Sequence, residues 1–262
     1  MNRFAVEGAD LAREVSDEGG HPVVQLHGLT SSRRRDRLLN LDLGLGLSGT
    51  RLLRYDARGH GLSSGRPRPE DYRWERLATD LLDLLDDVFP GEAVHGVGPS
   101  MGAATLLHAA VREPERFTSL TLMVPSTAWE TRAAKADEYR AAADVVERRG
   151  RDVWVAAGRM APRVPAQADV PITEPEITED LLPSVLRGAA ASDYPSPAEV
   201  ASLTVPTTIL AWTDDPAHPV STAESLHGLL RGSTLQVATS PGELARWPAR
   251  LSEDVRRAGA FA

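Results

Sequence analysis

The chain has 262 residues, a length that suggests one domain with an insertion. Its composition, 42% hydrophobic and 25% charged residues, is typical of a globular protein. Its formal net charge of -8 argues against broad nucleic-acid binding, which depends on a basic surface, and the absence of cysteine excludes disulfides, thiolate metal sites and cysteine nucleophiles. We expect a cytoplasmic protein, because the first residues include acids and no apolar secretory segment, and no apolar run approaches the roughly 20 residues of a membrane helix.

Short apolar runs alternate with helical patterns along the chain, and this order predicts βαβ units around a parallel sheet. The predicted strands are residues 4–6 and 10–15, which form a hairpin, followed by 22–26, 51–55, 93–97, 120–124, 207–212 and 234–238. The predicted helices are residues 32–40, 74–89, 101–112, 222–230 and 248–260. Leucines recur at helical spacing in the helix at 74–89, so this helix should pack one face on the sheet.

Residues 126–203 interrupt the alternation, because they contain no convincing strand pattern. The segment begins with an Ala-, Arg- and Glu-rich helical pattern at 129–149, continues through a proline-studded stretch, and ends in a Ser/Pro turn region at 192–197. We interpret 126–203 as a helical lid inserted into an α/β core formed by 1–125 and 204–262. The alternative is an extra helical layer with no role in substrate access.

The pentapeptide Gly98-Pro99-Ser100-Met101-Gly102 has the G-x-S-x-G pattern and lies between a predicted strand and a predicted helix. In that context the pattern indicates a nucleophile elbow, a sharp turn that exposes a serine hydroxyl at the end of a strand. A serine hydroxyl is a poor nucleophile until a neighbouring base takes its proton, so the function depends on where that base lies.

A His27-Gly28 pair follows the strand at 22–26. The turn after this pair offers the backbone N–H of Leu29 as one candidate oxyanion donor, and the N–H of Met101, directly after the serine, is the second. Two such donors are what acyl-transfer chemistry needs where the carbonyl oxygen becomes negative.

A third motif, Asp-Ala-Arg-Gly-His-Gly-Leu-Ser at 56–63, follows the strand at 51–55. With the His-Gly turn and the serine elbow, it makes the chain resemble the α/β-hydrolase superfamily over roughly 6–124 and 205–251. The resemblance implies a mostly parallel eight-stranded sheet flanked by helices, a site at the carboxyl ends of the strands, and no cofactor. It also implies that Asp56 and Arg58 are structural.

Members of this superfamily carry the acid of the triad in an Asp-x-x-x-Pro segment after the next-to-last strand. Residues 215–219 match that segment, so the resemblance implies Asp215 as the acid. It also implies a histidine after the last strand, but residues 239–246 contain none, and the last histidine of the chain is His227. The Ser-Thr-Ala-Glu sequence at 221–224 predicts a capping box that opens the next helix.

His218 is expected to replace the missing histidine, because it lies in the loop after the next-to-last strand, at the same rim of the sheet as Ser100. The other histidines precede a strand, lie inside a strand, belong to turn motifs or lie on helices; they are His21, His95, His27, His60, His108 and His227. We therefore expect His218 to act as general base toward Ser100, oriented by Asp215 or Asp214. Two alternatives stay open: His218 is a loop residue that shapes the pocket, or Glu243, beside Gly242, is a direct base.

The sequence thus predicts a serine hydrolase that acts on a small, largely apolar carboxylic ester or lactone through an acyl-enzyme, without metal or cofactor. The predicted catalytic residues are Ser100, Asp215 and His218, and the predicted substrate-binding residues are Leu29, Met101 and, under the lid, Trp129. The alternative is a hydrolase-fold protein without serine hydrolase activity, such as a cyclase, lyase, isomerase or ligand-binding protein. We expect a small-molecule substrate and neither nucleic-acid nor membrane partners, while the oligomeric state is not fixed by the sequence.

Overall fold

The computed structural model describes residues 2–260. Its strands are β1 (Asn2–Val6), β2 (Ala9–Asp17), β3 (Pro22–Gln25), β4 (Arg51–Tyr55), β5 (Val94–Pro99), β6 (Phe117–Met123), β7 (Thr207–Trp212) and β8 (Thr234–Ala238). They form one eight-stranded sheet in the spatial order β1-β2-β4-β3-β5-β6-β7-β8. The β1–β2 and β2–β4 pairs are antiparallel and the other neighbouring pairs are parallel, which confirms the predicted fold class.

Helices cover both faces of this sheet. They are α1 (Arg33–Leu38), α2 (Trp74–Val88), α3 (Met101–Arg112), α4 (Arg132–Arg149), α5 (Arg151–Arg159), α6 (Leu182–Ala190), α7 (Pro197–Ser202), α8 (Val220–Leu229), α9 (Pro241–Leu244) and α10 (Trp247–Gly259). Short 3-10 helices occur at Leu43–Gly46, Pro69–Tyr72, Pro114–Arg116, Trp129–Thr131 and Pro165–Gln167. Within residues 2–260, none of the helices has both the length and the apolar character needed to cross a membrane.

Successive residues of the central strands face opposite sides of the sheet, and this divides the core into two layers. Val24 and Leu53 belong to the apolar cluster that includes α2 and α3, whereas Val23 and Leu52 belong to a second cluster that includes α10. The predicted packing of the helix at 74–89 on the sheet is confirmed by its buried leucines, Leu77, Leu81, Leu84 and Leu85.

Residues 126–203, which we call the helical insertion, contain α4 to α7 and no strand in the described structure. Gly150, at φ 88°, separates α4 from α5. The helices α4 and α6 share an apolar cluster, and the side chain of Leu29 packs against it from the core. The helical insertion therefore touches the turn that holds a predicted oxyanion donor, while its function as a lid stays a prediction.

The capping box predicted at 221–224 is wrong. The helix α8 begins at Val220 with Pro219 as its N-cap, so Ser221 already lies inside the helix, and no side chain caps this end. Pro219 supplies the extended conformation before the helix, with φ -67° and ψ 139°. A capping box instead opens α7, where Ser196 and Glu199 exchange side-chain-to-backbone hydrogen bonds.

His95 gives a test of how the core responds to acid. It is fully buried in β5, with Nδ1 2.6 Å from Ser119 Oγ and Nε2 2.9 Å from Thr121 Oγ1, and burial lowers its pKa to about 3. The unfolded chain binds a proton on this histidine below pH ~6.5, whereas the folded chain excludes it, so the free energy of unfolding should fall as the pH falls between these values.

His95→Gln keeps hydrogen-bonding groups in the core but cannot be protonated. We expect the slope of the free energy of unfolding against pH, measured by urea titration between pH 6 and pH 4, to be shallower in His95→Gln by about 1 kcal/mol per pH unit. Parallel curves for the two proteins would contradict this origin of the acid sensitivity.

Candidate active site

Ser100 occupies a sharp turn between β5 and α3, with φ 52° and ψ -109°. A positive φ is uncommon for a residue with a side chain, and close approach to the end of β3 maintains the turn here. A Cβ atom at Gly98 would lie 2.9 Å from Leu26 Cβ, and one at Gly102 would lie 3.1 Å from the carbonyl oxygen of His27. The structure thus contains the strand–turn–helix elbow that the pentapeptide predicts, and the flanking glycines are needed for steric reasons.

The turn at His27 and Gly28 lies against this elbow. A Cβ atom at Gly28 would lie 3.9 Å from Ser100 Cβ. His27 Nε2 accepts the backbone N–H of Ala57 at 2.9 Å, while its Nδ1 donates to the carbonyl oxygen of Gly28 at 2.8 Å. Burial lowers the pKa of His27, so the imidazole stays neutral and can make both bonds at once.

The two predicted oxyanion donors therefore come from separate segments that meet at the serine. Met101 begins α3 directly after Ser100, and Leu29 follows Gly28 in the adjacent turn. The side chain of Leu29 packs against both the main core and the helical insertion, which restrains its backbone. The function of the two N–H groups stays a prediction.

His218 reaches Ser100 from the loop after β7. Its Nε2 lies 2.9 Å from Ser100 Oγ, and its Nδ1 lies 2.7 Å from Asp215 Oδ2. The side chain of His218 is 20% exposed and that of Asp215 is 12% exposed. Three side chains thus form a continuous hydrogen-bond chain at the carboxyl end of the sheet, partly shielded from solvent.

The ionisation of Asp215 fixes the direction of these bonds. Burial raises the pKa of Asp215, but hydrogen bonds from His218, Trp212 and Ala217 outweigh this effect and hold the pKa below its usual value. The ionised carboxylate can only accept, so Nδ1–H of His218 donates to it. Nε2 of the neutral imidazole then accepts the hydroxyl proton of Ser100, which is the arrangement that a general base requires.

Residues 215–218 form a tight turn that carries both the acid and the histidine. The N–H of His218 donates to the carbonyl oxygen of Asp215 at 3.1 Å, and the N–H of Ala217 donates to Asp215 Oδ1 at 2.9 Å. Pro216 suits the second position of a turn because its ring fixes φ, and an aspartate suits the first because its carboxylate can accept the N–H two residues later. Of the two aspartates that the sequence left open, Asp215 bonds to the imidazole, while its role in orienting a base stays a prediction.

Glu243 lies in the loop after β8, but its carboxylate bonds within that loop. Oε2 accepts the N–H of Thr239 at 2.6 Å and the hydroxyl of Thr239 at 2.8 Å. The backbone hydrogen bond and the hydroxyl together lower the pKa of Glu243, so the group is a weaker base than a free carboxylate. Ser100 instead has His218 as its partner.

The remaining histidines have hydrogen-bond partners elsewhere, and within residues 2–260 none of them bonds to Ser100. The partners are Thr118 for His21, Gly28 and Ala57 for His27, Arg58 for His60, Ser119 and Thr121 for His95, Asp193 for His108, and Ser233 for His227.

Asp56 and Arg58 bond to groups other than Ser100, His218 and Asp215. Asp56 accepts the backbone N–H groups of Arg33 at 2.9 Å and Leu62 at 3.0 Å, which ties the first turn of α1 to the loop after β4. Arg58 forms a buried bidentate ion pair with Asp80 of α2, with both hydrogen bonds at 2.6 Å.

Trp129 lies at the start of the helical insertion with φ 50°. Its backbone N–H donates to the carboxylate of Asp193, its indole N–H donates to the carbonyl oxygen of Pro195 at 3.0 Å, and its ring packs at 6.2 Å from Tyr194. These contacts fix the first turn of the helical insertion to its last loop. A contribution of Trp129 to substrate binding stays a prediction.

Sequence reasoning missed the role of Trp212. Its indole N–H donates to Asp215 Oδ2 at 2.8 Å, on the same oxygen that accepts the bond from His218. The available signal was position: a tryptophan that ends a strand three residues before the acid. No feature of that spacing shows that the ring turns toward the carboxylate.

Comparison with known proteins gives the family. A family model described as the alpha/beta hydrolase fold matches residues 21–168, more than half of the chain. The chain belongs to the α/β-hydrolase family. The match contains Ser100 and the turn at Gly28, and it ends before β7.

The relatives of this α/β hydrolase include two curated proteins. The chain is 29% identical over 148 residues to a Bacillus subtilis (strain 168) protein named "Putative 2-succinyl-6-hydroxy-2,4-cyclohexadiene-1-carboxylate synthase", covering 54% of this chain and 52% of that protein. It is 26% identical over 202 residues to 3-oxoadipate enol-lactonase 1 of Acinetobacter baylyi (strain ATCC 33305 / BD413 / ADP1), covering 71% of this chain and 70% of the lactonase. The first match thus spans about half the length of the relative.

Among solved structures, a thermophilic esterase from Thermogutta terrifontis, with malate bound, has a similar fold. The TM-score is 0.78 at 20% sequence identity, with 99% of this chain and 100% of the esterase covered. This likeness supports the fold over the whole chain, including the part that the family model does not match.

The close packing at the elbow predicts that an alanine substitution destabilises the protein at Gly102 but not at Gly242. In Gly102→Ala the new methyl group would lie 3.0 Å from Leu26 Cβ and 3.1 Å from the carbonyl oxygen of His27, so we expect the free energy of unfolding to fall by about 1–3 kcal/mol. Gly242→Ala is the matched control, because nothing lies within 4 Å of its added Cβ. Equal unfolding midpoints in urea for the two variants would contradict the proposed close approach.

Proposed function

We propose that this α/β hydrolase is a serine hydrolase that cleaves a small, largely apolar carboxylic ester or lactone through an acyl-enzyme. The observation that carries the proposal is the 2.9 Å contact between His218 Nε2 and Ser100 Oγ, together with the 2.7 Å contact between His218 Nδ1 and Asp215 Oδ2. Nucleophile, base and orienting carboxylate are thereby within hydrogen-bond reach of one another, which is the requirement for activating a serine.

The reaction would begin with transfer of the Ser100 hydroxyl proton to His218 Nε2 while Oγ attacks the carbonyl carbon of the substrate. The carbonyl oxygen becomes negative and accepts hydrogen bonds from the N–H groups of Leu29 and Met101. Collapse of this intermediate breaks the bond to the alcohol, which takes the proton from His218 and leaves Ser100 acylated. Water then attacks the acyl group with His218 again as base, and releases the acid and the free serine.

Two observations support an ester or lactone as the substrate class. The relatives include a protein named as an enol-lactonase and a protein of the same fold described as an esterase, so a cleavable carboxylic ester bond fits the family. In addition, Leu29 packs against the buried apolar cluster of α4 and α6, so the helical insertion lies next to the proposed oxyanion donor, as a lid would. Burial of apolar substrate surface there would favour binding by about 25 cal/mol per Å².

A second candidate is a non-hydrolytic reaction on the same scaffold, such as that of a lyase or cyclase. This second candidate is favoured by the Bacillus subtilis relative, whose name describes a synthase. In such a site the serine and histidine would move protons without forming an acyl-enzyme. A fluorophosphonate probe and p-nitrophenyl esters separate the two candidates, since covalent labelling of Ser100 with release of p-nitrophenol requires an activated nucleophile.

The proposed mechanism predicts a large loss of kcat in three single variants. We expect Ser100→Ala and His218→Ala each to lower kcat for p-nitrophenyl butyrate by about 10⁴-fold or more, because each removes the nucleophile or its base. Asp215→Asn should lower kcat by about 10⁴-fold, because the amide no longer selects the tautomer in which Nε2 accepts. Burst kinetics and mass spectrometry of the trapped acyl group on Ser100 are the measurements.

Glu243→Gln is the control for the missing histidine after β8. Its carboxylate bonds to Thr239, so we expect kcat and KM to stay within about twofold of the wild-type values, as for a surface group away from the chemistry. A loss in Glu243→Gln comparable to that in His218→Ala, or full activity of His218→Ala, would show that the base has been misassigned.

A further inference from the structure

The acid and the base of the proposed site lie on one four-residue turn, and this places an unusual demand on the turn. When the two groups come from separate loops, each loop restrains the other across the site. Here the hydrogen bonds within residues 215–218 hold the turn together but do not fix it relative to Ser100. Contacts from outside the turn must therefore set the direction of the imidazole.

Trp212 supplies such a contact at the carboxylate. It is the last residue of β7, it is 3% exposed, and its Nε1–H donates to Asp215 Oδ2 at 2.8 Å. The same oxygen accepts Nδ1–H of His218, while Oδ1 accepts the N–H of Ala217. With three donors in place, the carboxylate cannot rotate without breaking at least one hydrogen bond.

The indole ring also contacts the imidazole and is itself immobilised. The rings of Trp212 and His218 meet edge to face, with centroids 6.1 Å apart and planes at 86°. Trp212 also stacks on Trp247, with a centroid distance of 6.1 Å and an interplanar angle of 14°. Trp247 is 2% exposed and begins α10, so the ring of Trp212 is held between the imidazole and a helix of the core.

One backbone contact complements the tryptophan. The N–H of Thr127, in the segment after β6, donates to the carbonyl oxygen of Ala217 at 3.2 Å. This bond ties the turn to the strand next to the elbow but does not touch the carboxylate or the imidazole. The side chain of Trp212, in contrast, contacts both Asp215 and His218 from outside the turn.

We propose that Trp212 is a positioning residue for the base: its indole N–H fixes the carboxylate of Asp215, and its ring, held by Trp247, fixes the plane of the His218 imidazole. The inference rests on the proposed serine hydrolase function. If the histidine followed β8, its loop would restrain the loop of the acid. In this chain Trp212 provides that restraint instead.

Trp212→Phe tests the hydrogen bond while it keeps an aromatic ring for the stack. We expect kcat to fall by about 10-fold to 100-fold, because a small error in the direction of the base is costly. KM should change little, because the indole is buried and bonds to Asp215. The acid limb of the kcat profile should move to higher pH, because a carboxylate with one donor fewer holds a proton more strongly on the neighbouring imidazole. Phe89→Leu is the control for a general loss of core packing: Phe89 is 2% exposed and contacts Arg51 at the start of β4, at the end of the sheet away from Ser100, so this variant should leave kcat and the pH profile at their wild-type values.

A readout that needs no turnover separates this inference from the proposed function. The Nδ1–H of His218 should give a downfield proton resonance in NMR, identified by its loss in His218→Ala. This resonance should broaden or vanish in Trp212→Phe and persist in Phe89→Leu. If wild-type protein cleaves no ester, the proposed function fails, but the resonance still tests the positioning. An unchanged resonance in Trp212→Phe would overturn the inference, as would a loss of kcat with an unchanged pH profile.

Should Trp212→Phe fail to fold, 3-benzothienylalanine at position 212 serves as the second variant. It keeps the bicyclic shape and replaces the N–H with sulfur, so the stack on Trp247 is retained and only the donor is removed. We expect the same shift of the acid limb and the same loss of the resonance. Wild-type behaviour of this variant would overturn the inference.

Discussion

The rest of the site depends on the hydrogen bond between His218 and Ser100, which joins the ends of two strands that are not neighbours. β6 lies between β5 and β7, so the loop after β7 must turn back across the sheet edge at once to bring an imidazole to the elbow. The Asp-Pro-Ala-His turn does this within four residues, because the proline fixes the turn and the aspartate accepts two backbone or side-chain donors from the residues that follow it. A longer loop would lose more entropy on ordering and would hold the imidazole less firmly.

Because the proposed base, His218, lies before α8, the proposed chemistry needs no side chain from the segment after β8. That segment closes on itself through the hydrogen bonds between Glu243 and Thr239, and α10 then begins with a tryptophan that packs on the last residue of β7. The segment that would carry a histidine in the family pattern thus contributes apolar packing in place of a catalytic group. Trp212, which stacks on Trp247, also bonds to Asp215. The apolar layer under α10 is therefore in direct contact with the candidate site.

Local sequence patterns were sufficient for the fold and for the residues of the hydrogen-bond chain, because alternating strands, the glycine-flanked serine and the Asp–Pro turn are each specified within a few residues. The sequence patterns failed at the start of one helix and at side-chain contacts that local spacing does not specify. The sequence at 221–224 has the letters of a capping box, but Pro219 starts α8 earlier and places Ser221 inside it. The indole of Trp212 finds its stacking partner 35 residues later, and the indole of Trp129 finds its acceptor at Pro195; no local periodicity encodes either contact.

The turn that carries Leu29 is restrained by the helical insertion as well as by the core. The backbone N–H of Glu176 donates to the carbonyl oxygen of Thr30 at 2.9 Å, and the carbonyl oxygen of Glu176 accepts the N–H of Gly61 at 2.7 Å. Glu176 thus joins the turn that carries Leu29 to the loop after β4, while the side chain of Leu29 packs under α4 and α6. A displacement of the helical insertion would strain the turn that supplies a proposed oxyanion donor. Under the proposed function, one short segment of backbone would therefore connect the proposed lid to the group that stabilises the developing negative charge.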